Sequence, residues 1–202
     1  RTGIFNFTRY EPLGVVAMIT AWNSPLMLLA WKLSVALAAG NTAVIKPSEF
    51  TSASTIEFMN LIEEAGFPEG VVNTVTGFGN DVGASLISHP DVTKIAFTGS
   101  DRSGQIINET AAKTFKHVTL ELGGKSPNIV FEDAERESAV MGVISGIFAA
   151  TGQTCIAGSR LLLQRSIHDQ FVERLIEVAR TAHIGDPMSP DTHIGPVTTP
   201  PQ

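Results

Sequence analysis

The sequence predicts an α/β protein built on a mostly parallel β-sheet. Five short apolar or β-branched runs recur every 23 to 29 residues, at 14–20, 42–46, 71–75, 94–98 and 118–122. Patterns of helical length separate them, and this alternation is typical of crossover units that cover a parallel sheet on both faces. Because the runs show little polar alternation, we expect strands that are buried on both sides.

Glycine and proline mark the ends of the helices between these runs. A helix from 26 to 39 is predicted to end before Gly40, and a helix from 81 to 89 is predicted to stop before Pro90. Ser54-Thr-Ile-Glu57 has the spacing of a capping box and predicts the start of a helix that reaches Gly66. A fourth helix is expected over about 102–115.

A second βα series begins after the glycine pair Gly123-Gly124. Its predicted elements are a strand at 128–131, a helix at 134–148, a strand at 160–164 and a helix at 167–182. Glycine pairs interrupt regular structure, so this pair is the predicted domain boundary.

The composition is that of an ordinary globular protein of one or two domains, with 202 residues, 43% hydrophobic and 17% charged. The net charge is −6 and the basic residues are scattered, which argues against nucleic-acid binding. A single cysteine cannot form an internal disulfide, and no leader pattern opens the sequence, which favours the cytoplasm. The uncharged runs 12–31 and 138–159 are interrupted by polar residues or proline, so neither is expected to cross a membrane.

Two short motifs carry the strongest chemical signal. Glu121-Leu-Gly-Gly-Lys125 supplies a carboxylate, and Gly152-Gln-Thr-Cys155 supplies the only cysteine. A thiol and a carboxylate can act as nucleophile and base. Taken alone, the pair is equally compatible with a buried, inert cysteine and an ordinary charge at a strand end.

Three further motifs occur in order with these two: Trp22-Asn-Ser-Pro25, Lys46-Pro-Ser-Glu49 and Phe97-Thr-Gly-Ser100. Together the five resemble the aldehyde dehydrogenase superfamily, from about Tyr10 to the last residue. The resemblance implies a variant Rossmann coenzyme domain at 13–122, preceded by an oligomerisation-strand segment at 1–12 and followed by part of an α/β catalytic domain at 123–202. It also implies an NAD-dependent enzyme that assembles as a homodimer or homotetramer.

The ends of the chain lead to a further expectation. The sequence begins at Arg1 without an initiator methionine and stops at Gln202 without a closing element. We therefore expect the central piece of a longer enzyme, inactive on its own.

The proposed cofactor residues follow predicted strands, where open parallel sheets bind ligands. Taken alone, Lys46 and Glu49 are equally compatible with a solvated pair in a loop after a strand. The resemblance implies that they bind the adenosine ribose and that the acid favours NAD over NADP. A strict Gly-x-Gly-x-x-Gly motif is absent. The resemblance instead gives Ser100 the start of a helix that faces the pyrophosphate. The full set of expected cofactor residues is Thr20, Ala21, Trp22, Lys46, Ser48, Glu49, Gly79, Gly99, Ser100, Leu122 and Gly123.

The catalytic roles also come from the resemblance. Cys155 would attack the aldehyde, the Asn23 amide would donate to the oxyanion, and Glu121 would activate water against the thioester. The apolar neighbours of Glu121 predict a partly desolvated carboxylate. Without the resemblance, Asn23 would be assigned as the cap of the following helix. None of the five histidines lies in a recognisable motif, and no metal site is expected.

Substrate residues are implied by the resemblance at Ser24, Trp31, Phe148, Thr154 and Ile156. Small residues at Ala21, Ser24 and Ala149-Ala150 predict a widened site for a broader or ring-containing aldehyde. Three alternatives stay open: acyl transfer to coenzyme A, a nucleotide-binding or oligomer-forming remnant without catalysis, and a thiol hydrolase that pairs Cys155 with a histidine.

Overall fold

The computed structural model describes residues 3–200 and residue 202. The chain divides after Leu122 into two compact units. Arg1 and Thr2, at the start of the expected oligomerisation segment, and Pro201 lie outside the described residues.

The first unit contains one five-stranded sheet. Its strands are β1 (Val15–Ile19), β2 (Thr42–Lys46), β3 (Val72–Thr74), β4 (Val92–Thr98) and β5 (His117–Glu121). All neighbours pair in parallel, in the order β3-β2-β1-β4-β5. The predicted parallel α/β fold is therefore confirmed. The chain moves outward from β1 to β3 and then returns to the other side of β1, so the strand order reverses between β1 and β4.

Four helices cover this sheet: α1 (Pro25–Ala38), α2 (Ala53–Glu64), α3 (Ala84–Ser88) and α4 (Asp101–Ala112). Successive residues of β1 point to opposite faces of the sheet. Val16 and Met18 pack in a core with Leu29 of α1, whereas Ala17 belongs to a separate core with Ile107 of α4. A strand with a core on each face has no polar side, which explains the continuous apolar run in the sequence.

The edge strand β5 departs from the prediction of burial on both faces. Val118 and Leu120 pack against the core, whereas His117, Thr119 and Glu121 are exposed. Only β4 flanks β5 in the sheet, and the side chains alternate between a buried and an open face.

Two predicted helix starts also need correction. Helix α2 begins two residues before the start predicted from the capping box, because the Ser52 carbonyl accepts hydrogen bonds from the N–H groups of Thr55 and Ile56 at 3.1 Å each. Ser54 therefore lies inside the helix. The helix expected from 81 starts as a π-helical turn at Gly79–Gly83 and becomes α-helical only at Ala84.

Residues 4–12 form no strand in the structure. Ile4, Phe5, Phe7 and Tyr10 are exposed, and the next residues are fixed by Asn41, whose side-chain oxygen accepts the N–H groups of Leu13 at 2.6 Å and Gly14 at 3.1 Å. A strand requires a paired neighbour. Pairing of this segment with another subunit therefore stays a prediction.

The second unit has two parallel strands, β6 (Pro127–Val130) and β7 (Arg160–Leu163), and two helices, α5 (Arg136–Phe148) and α6 (His168–Ala179). Its core contains Val130, Val140, Val143 and Phe171. Arg174 of α6 ties the two helices together through Glu137 of α5 at 2.8 Å. The four elements lie within about three residues of their predicted positions.

Among residues 3–200 and 202, the longest apolar helices are too short or too polar to cross a bilayer.

Candidate active site

The carboxyl ends of the five parallel strands meet at one edge of the first sheet. Thr20 follows β1, Lys46 ends β2, Thr98 ends β4 and Glu121 ends β5. Strand register aligns Ile19 of β1 with both Lys46 and Phe97, and Thr98 with Glu121. Because the strand order reverses between β1 and β4, this edge is the place where an open α/β sheet forms a ligand crevice.

Lys46 is a buried cation at this edge, with 3% of the residue exposed. Its Nζ donates to the Pro47 carbonyl at 3.0 Å and lies 4.0 Å from the Glu49 carboxylate. Burial lowers the pKa of the Lys46 ammonium, and the Glu49 charge opposes that shift. The Glu49 side chain is 39% exposed, so the pair combines a buried donor with an acceptor that reaches solvent.

Two buried hydroxyl groups lie beside Lys46. Ser48 accepts a hydrogen bond from the Phe50 N–H at 3.4 Å. Thr20 is 2% exposed, and its hydroxyl has no hydrogen-bond partner within the described part of the chain. An unsatisfied buried hydroxyl is costly, so the Thr20 oxygen is a candidate ligand contact. Ala21 and Trp22, which follow it, are half-buried.

The loop between β4 and α4 contains a helix cap, Ser100, and a closely packed glycine, Gly99. Ser100 is the N-cap of α4, and its hydroxyl accepts the Ser103 N–H at 3.2 Å. A Cβ on Gly99 would lie only 2.4 Å from the Phe97 ring, so a larger residue there would require the ring to move. The helix start that the resemblance assigns to Ser100 is therefore present, and helix N-termini favour anions.

The remaining expected cofactor residues differ in their surroundings. Gly79 is exposed at the start of the π-helical turn beyond β3, and Gly123 is exposed after Leu122. Leu122 is half-buried and packs on α4, where a Cβ on Gly104 would approach its Cδ2 to 2.7 Å. The absence of a side chain at Gly104 thus lets α4 lie close to the end of β5.

Lys32 is a residue that the sequence interpretation missed. Its Nζ, on α1, donates to the Thr98 hydroxyl at 2.5 Å. Burial lowers the pKa of Lys32, and the nearby Glu121 carboxylate opposes this shift. The available signal was that Lys32 is the only charged residue in an otherwise uncharged helix. Its neighbours could be found only from the fold.

Glu121 itself is exposed, so the partial desolvation expected from its neighbours is wrong. Leu120 points into the core, and Leu122 packs against the same cluster. Since alternate residues of a strand face opposite sides, Glu121 points away from them. Asn23 is half-buried before α1, whose N-cap is Ser24, so the alternative assignment of Asn23 as the cap residue is also wrong.

Cys155 carries a free, exposed thiol in the second unit. The turn before it is left-handed, with φ of 50° at Ala150, 58° at Thr151 and 74° at Gly152. For a residue other than glycine this conformation costs roughly 1–2 kcal/mol. After Cys155, the Gly158 N–H donates to the Gly146 carbonyl at 3.0 Å, which anchors the segment to α5.

Glycines occupy two positions where the segment around Cys155 contacts its neighbours. A Cβ on Gly158 would approach the Asn128 side chain to 3.1 Å, and a Cβ on Gly124 would lie 3.9 Å from the Cys155 carbonyl. The nucleophile candidate is therefore exposed at its thiol, and its carbonyl lies at ordinary contact distance from the Gly124 position.

The expected substrate residues fall into two groups. Phe148 at the end of α5, Thr154 and Ile156 surround Cys155 in sequence, and Ile156 is 77% exposed. Ser24 and Trp31 lie on the first unit, where Trp31 is 65% exposed on α1. Across the part of the chain that the structure describes, no group of three potential metal ligands occurs.

Comparison with known proteins places the chain in a family. The model of the aldehyde dehydrogenase family matches residues 1–202. Aldehyde dehydrogenase 1A1 from Gallus gallus is 50% identical, and retinal dehydrogenase 2 from Gallus gallus is 51% identical, each over 95% of this chain. These alignments cover 38% and 37% of the relatives, so the chain spans less than two fifths of their length.

Solved structures agree with this relationship. PnpE from Pseudomonas sp. WBC-3 matches 94% of the chain and 39% of its own length, with a TM-score of 0.90 and 54% identity. It has also been solved in complex with nicotinamide adenine dinucleotide. Betaine aldehyde dehydrogenase from Staphylococcus aureus, in complex with NAD+, matches 95% of the chain and 38% of its own length, with a TM-score of 0.91 and 43% identity. The sequence, the parallel-sheet fold and these similarities together establish that the chain belongs to the aldehyde dehydrogenase family.

Proposed function

We propose that the full-length protein oxidises an aldehyde to a carboxylic acid with NAD, through a thioester on Cys155. The observation that carries this proposal is the exposed Cys155 thiol on a fixed turn, in a chain that matches the aldehyde dehydrogenase family over residues 1–202. Relatives crystallised with NAD support the cofactor. The exposed carboxylate at Glu121 supports hydrolysis over acyl transfer to coenzyme A.

The sheet edge of the first unit has groups that fit a dinucleotide. The unpartnered Thr20 hydroxyl is buried there, and the N-terminus of α4 offers N–H groups that suit a pyrophosphate. Lys46 and Glu49 would donate to and accept from the ribose hydroxyl groups. The Glu49 charge would repel a 2′-phosphate, which favours NAD over NADP. Ala21, Trp22, Ser48, Gly79, Gly99, Ser100, Leu122 and Gly123 complete the proposed set.

In the first half of the reaction, the Cys155 thiolate adds to the aldehyde carbon and forms a thiohemiacetal. The carbonyl oxygen becomes an oxyanion, to which the Asn23 amide and the Cys155 N–H donate hydrogen bonds. When bound, NAD would supply the hydride acceptor, and loss of a hydride from the former aldehyde carbon would leave a thioester on Cys155.

In the second half, Glu121 takes a proton from water, and the resulting hydroxide attacks the thioester carbon. The C–S bond then breaks, which releases the carboxylic acid and restores the Cys155 thiolate. Exposure of Glu121 leaves its carboxylate accessible to water.

The proposed aldehyde class rests on the small residues Ala21, Ser24, Ala149 and Ala150 in the sequence. Ser24, Thr154, Trp31, Phe148 and Ile156 are the proposed substrate contacts, with large apolar surfaces on Trp31 and Ile156. Ring-containing aldehydes suit this lining, and relatives are named retinal dehydrogenases. A homo-oligomeric, cytoplasmic enzyme is part of the proposal, and the exposed apolar residues Ile4, Phe5 and Phe7 support self-association.

The test is NADH formation at 340 nm by the full-length protein with hexanal, benzaldehyde and retinal. We expect a pre-steady-state burst followed by turnover with NAD. Cys155→Ala should remove both and leave NAD binding, measured by fluorescence titration, unchanged. Turnover that persists in Cys155→Ala would overturn the assignment of the nucleophile, and the absence of activity with every aldehyde would overturn the reaction.

A further inference from the structure

We infer that Gln153 is a positioning residue for the reaction, because its side-chain amide fixes the turn that carries Cys155. The inference rests on the proposed role of Cys155 as nucleophile. Gln153 lies two residues before Cys155, within the second unit.

Both ends of the Gln153 amide are used. Its Nε2 donates to the Ala150 carbonyl at 2.9 Å, within the turn. Its Oε1 accepts the backbone N–H of Thr198 at 2.8 Å, 45 residues away in sequence. A donor at one end and an acceptor at the other fix the orientation of the amide. The Ala150 carbonyl also accepts the Gln153 backbone N–H at 3.1 Å, so one side chain joins the turn to a distant segment.

The turn is one that requires support. Ala150 and Thr151 are left-handed residues with side chains, at φ of 50° and 58°. Such conformations persist only where the surrounding structure constrains them. The Thr151 hydroxyl adds a second, longer contact, to the Gly195 carbonyl at 3.5 Å. Gln153 and Thr151 therefore connect the strained turn to residues 195–198.

The segment that contains Gly195 and Thr198, the partners of Thr151 and Gln153, is held by contacts of its own. Ile184 and Ile194 form a parallel bridge, and the His193 N–H donates to the His183 carbonyl at 2.9 Å. The His183 N–H donates to the His193 ring nitrogen Nδ1 at 3.0 Å. Thr199, next to Thr198, is 3% exposed. The amide of Gln153 is therefore attached to a fixed support.

A shift of the turn would displace the Cys155 sulfur, because only Thr154 separates Gln153 from Cys155. Misplacement of a reacting group by about 1 Å can cost about 100-fold in rate. Gln153 acts through Cys155 and does not touch the substrate, so its loss should change a rate constant instead of the number of active sites.

The experiment uses the full-length protein and two variants of the same chemical type. Gln153→Met removes both hydrogen bonds and keeps the length of the side chain. Gln164→Met is the matched control, because Gln164 also accepts a backbone N–H in the second unit, that of Glu132 at 3.0 Å. The readouts are the alkylation rate of Cys155 by iodoacetamide, followed by mass spectrometry of its peptide, and the burst rate constant and amplitude with benzaldehyde.

We expect Gln153→Met to slow the burst rate constant by about 10- to 100-fold with the burst amplitude preserved, and to leave alkylation within about twofold of the wild type because the thiol is exposed. Gln164→Met should stay within about twofold of the wild type. A lower amplitude with an unchanged rate constant would show a purely structural role and overturn the inference. A burst rate constant within about twofold of the wild type in Gln153→Met would overturn it as well.

A second variant keeps the test decisive if Gln153→Met does not fold. Thr198→Pro removes the N–H that Gln153 accepts and leaves the turn sequence intact. It should slow the burst rate constant by at least about threefold, because the turn loses its tie to residue 198. An unchanged burst rate constant in Thr198→Pro would contradict the inference. Failure of the proposed function looks different: the wild type would show no burst, or the burst would survive in Cys155→Ala.

Discussion

The sheet edge of the first unit and the Cys155 turn of the second unit hold their polar groups in different ways. At the sheet edge, Thr20, Lys46 and Thr98 follow or end strands that pair in register and are buried. Around Cys155 the backbone is irregular and partly left-handed, and side-chain hydrogen bonds from Gln153 and Thr151 support it.

This difference shows that the chain positions its polar groups in two ways, by strand pairing at the sheet edge and by side-chain hydrogen bonds at the Cys155 turn. Parallel pairing brings all strand ends to one edge, whichever side chains the loops carry. The position of Cys155 depends instead on a few specific contacts, which single substitutions can remove. We therefore expect substitutions at the edge to change one chemical role at a time, and substitutions near the turn to change geometry and stability.

The largest effect at the sheet edge is expected at Glu121. Glu121→Gln should leave the NADH burst largely intact and slow turnover by about 10²–10⁴-fold, because a positioned base contributes that much. The trapped acyl-enzyme should appear by intact-protein mass spectrometry. Glu109→Gln, an exposed carboxylate on α4, is the control. Normal turnover in Glu121→Gln would remove this residue from the mechanism.

A smaller effect is expected at Glu49, where a single role should change. Glu49→Gln should narrow the preference for NAD over NADP by about tenfold in kcat/KM. A desolvated like-charge contact costs several kcal/mol, but 39% exposure of the Glu49 side chain weakens it. Glu57→Gln, exposed on α2, should leave the preference unchanged. A wild type that prefers NADP would contradict the ribose role of Glu49.

The strain in the Cys155 turn can be tested with a pair of glycines in the second unit. Gly152→Ala should lower the free energy of unfolding by about 1–2 kcal/mol, because Gly152 has φ of 74° and a Cβ there would lie 3.2 Å from the Ile147 carbonyl. Gly142→Ala, within α5 and with nothing within 4 Å, should raise it by about 0.5–1 kcal/mol. Urea unfolding measures the free energy of unfolding of both variants. A change of the same sign in both would contradict the assignment of strain to the Cys155 turn.

The last prediction concerns the pH dependence that burial of Lys46 causes at the sheet edge. Its pKa is lowered from 10.5 by burial, so the folded state binds fewer protons than the unfolded state between the lowered value and 10.5. Stability should therefore rise with pH through that interval. Below the interval, the full destabilisation caused by burial of the charged Lys46 is present. Lys46→Met should flatten the rise in urea midpoints as the pH approaches 10.5, whereas Lys113→Met, which is exposed, should keep it. An unchanged slope in Lys46→Met would contradict the burial effect.

Local patterns predicted much of the fold. The apolar runs identified all five strands of the first sheet, because strands with a core on each face have no polar positions. The exceptions were the two edge strands, β3 and β5, where Asn73 of β3 and alternate residues of β5 are exposed. Ser54 failed as a cap because the chain had already started the helix at Ser52, a choice among nearby serines and threonines that local sequence does not decide.

By itself, the sequence determined the alternation of strands and helices and the positions of the strand ends, since these depend on residue type and short spacing. The tertiary structure alone decided the strand order, the contact of Lys32 with Thr98, the exposure of Glu121 and the bond from Thr198 to Gln153. The physical reason is separation along the chain. Contacts between residues 45 or 66 positions apart follow from how the elements pack, and no local pattern encodes them.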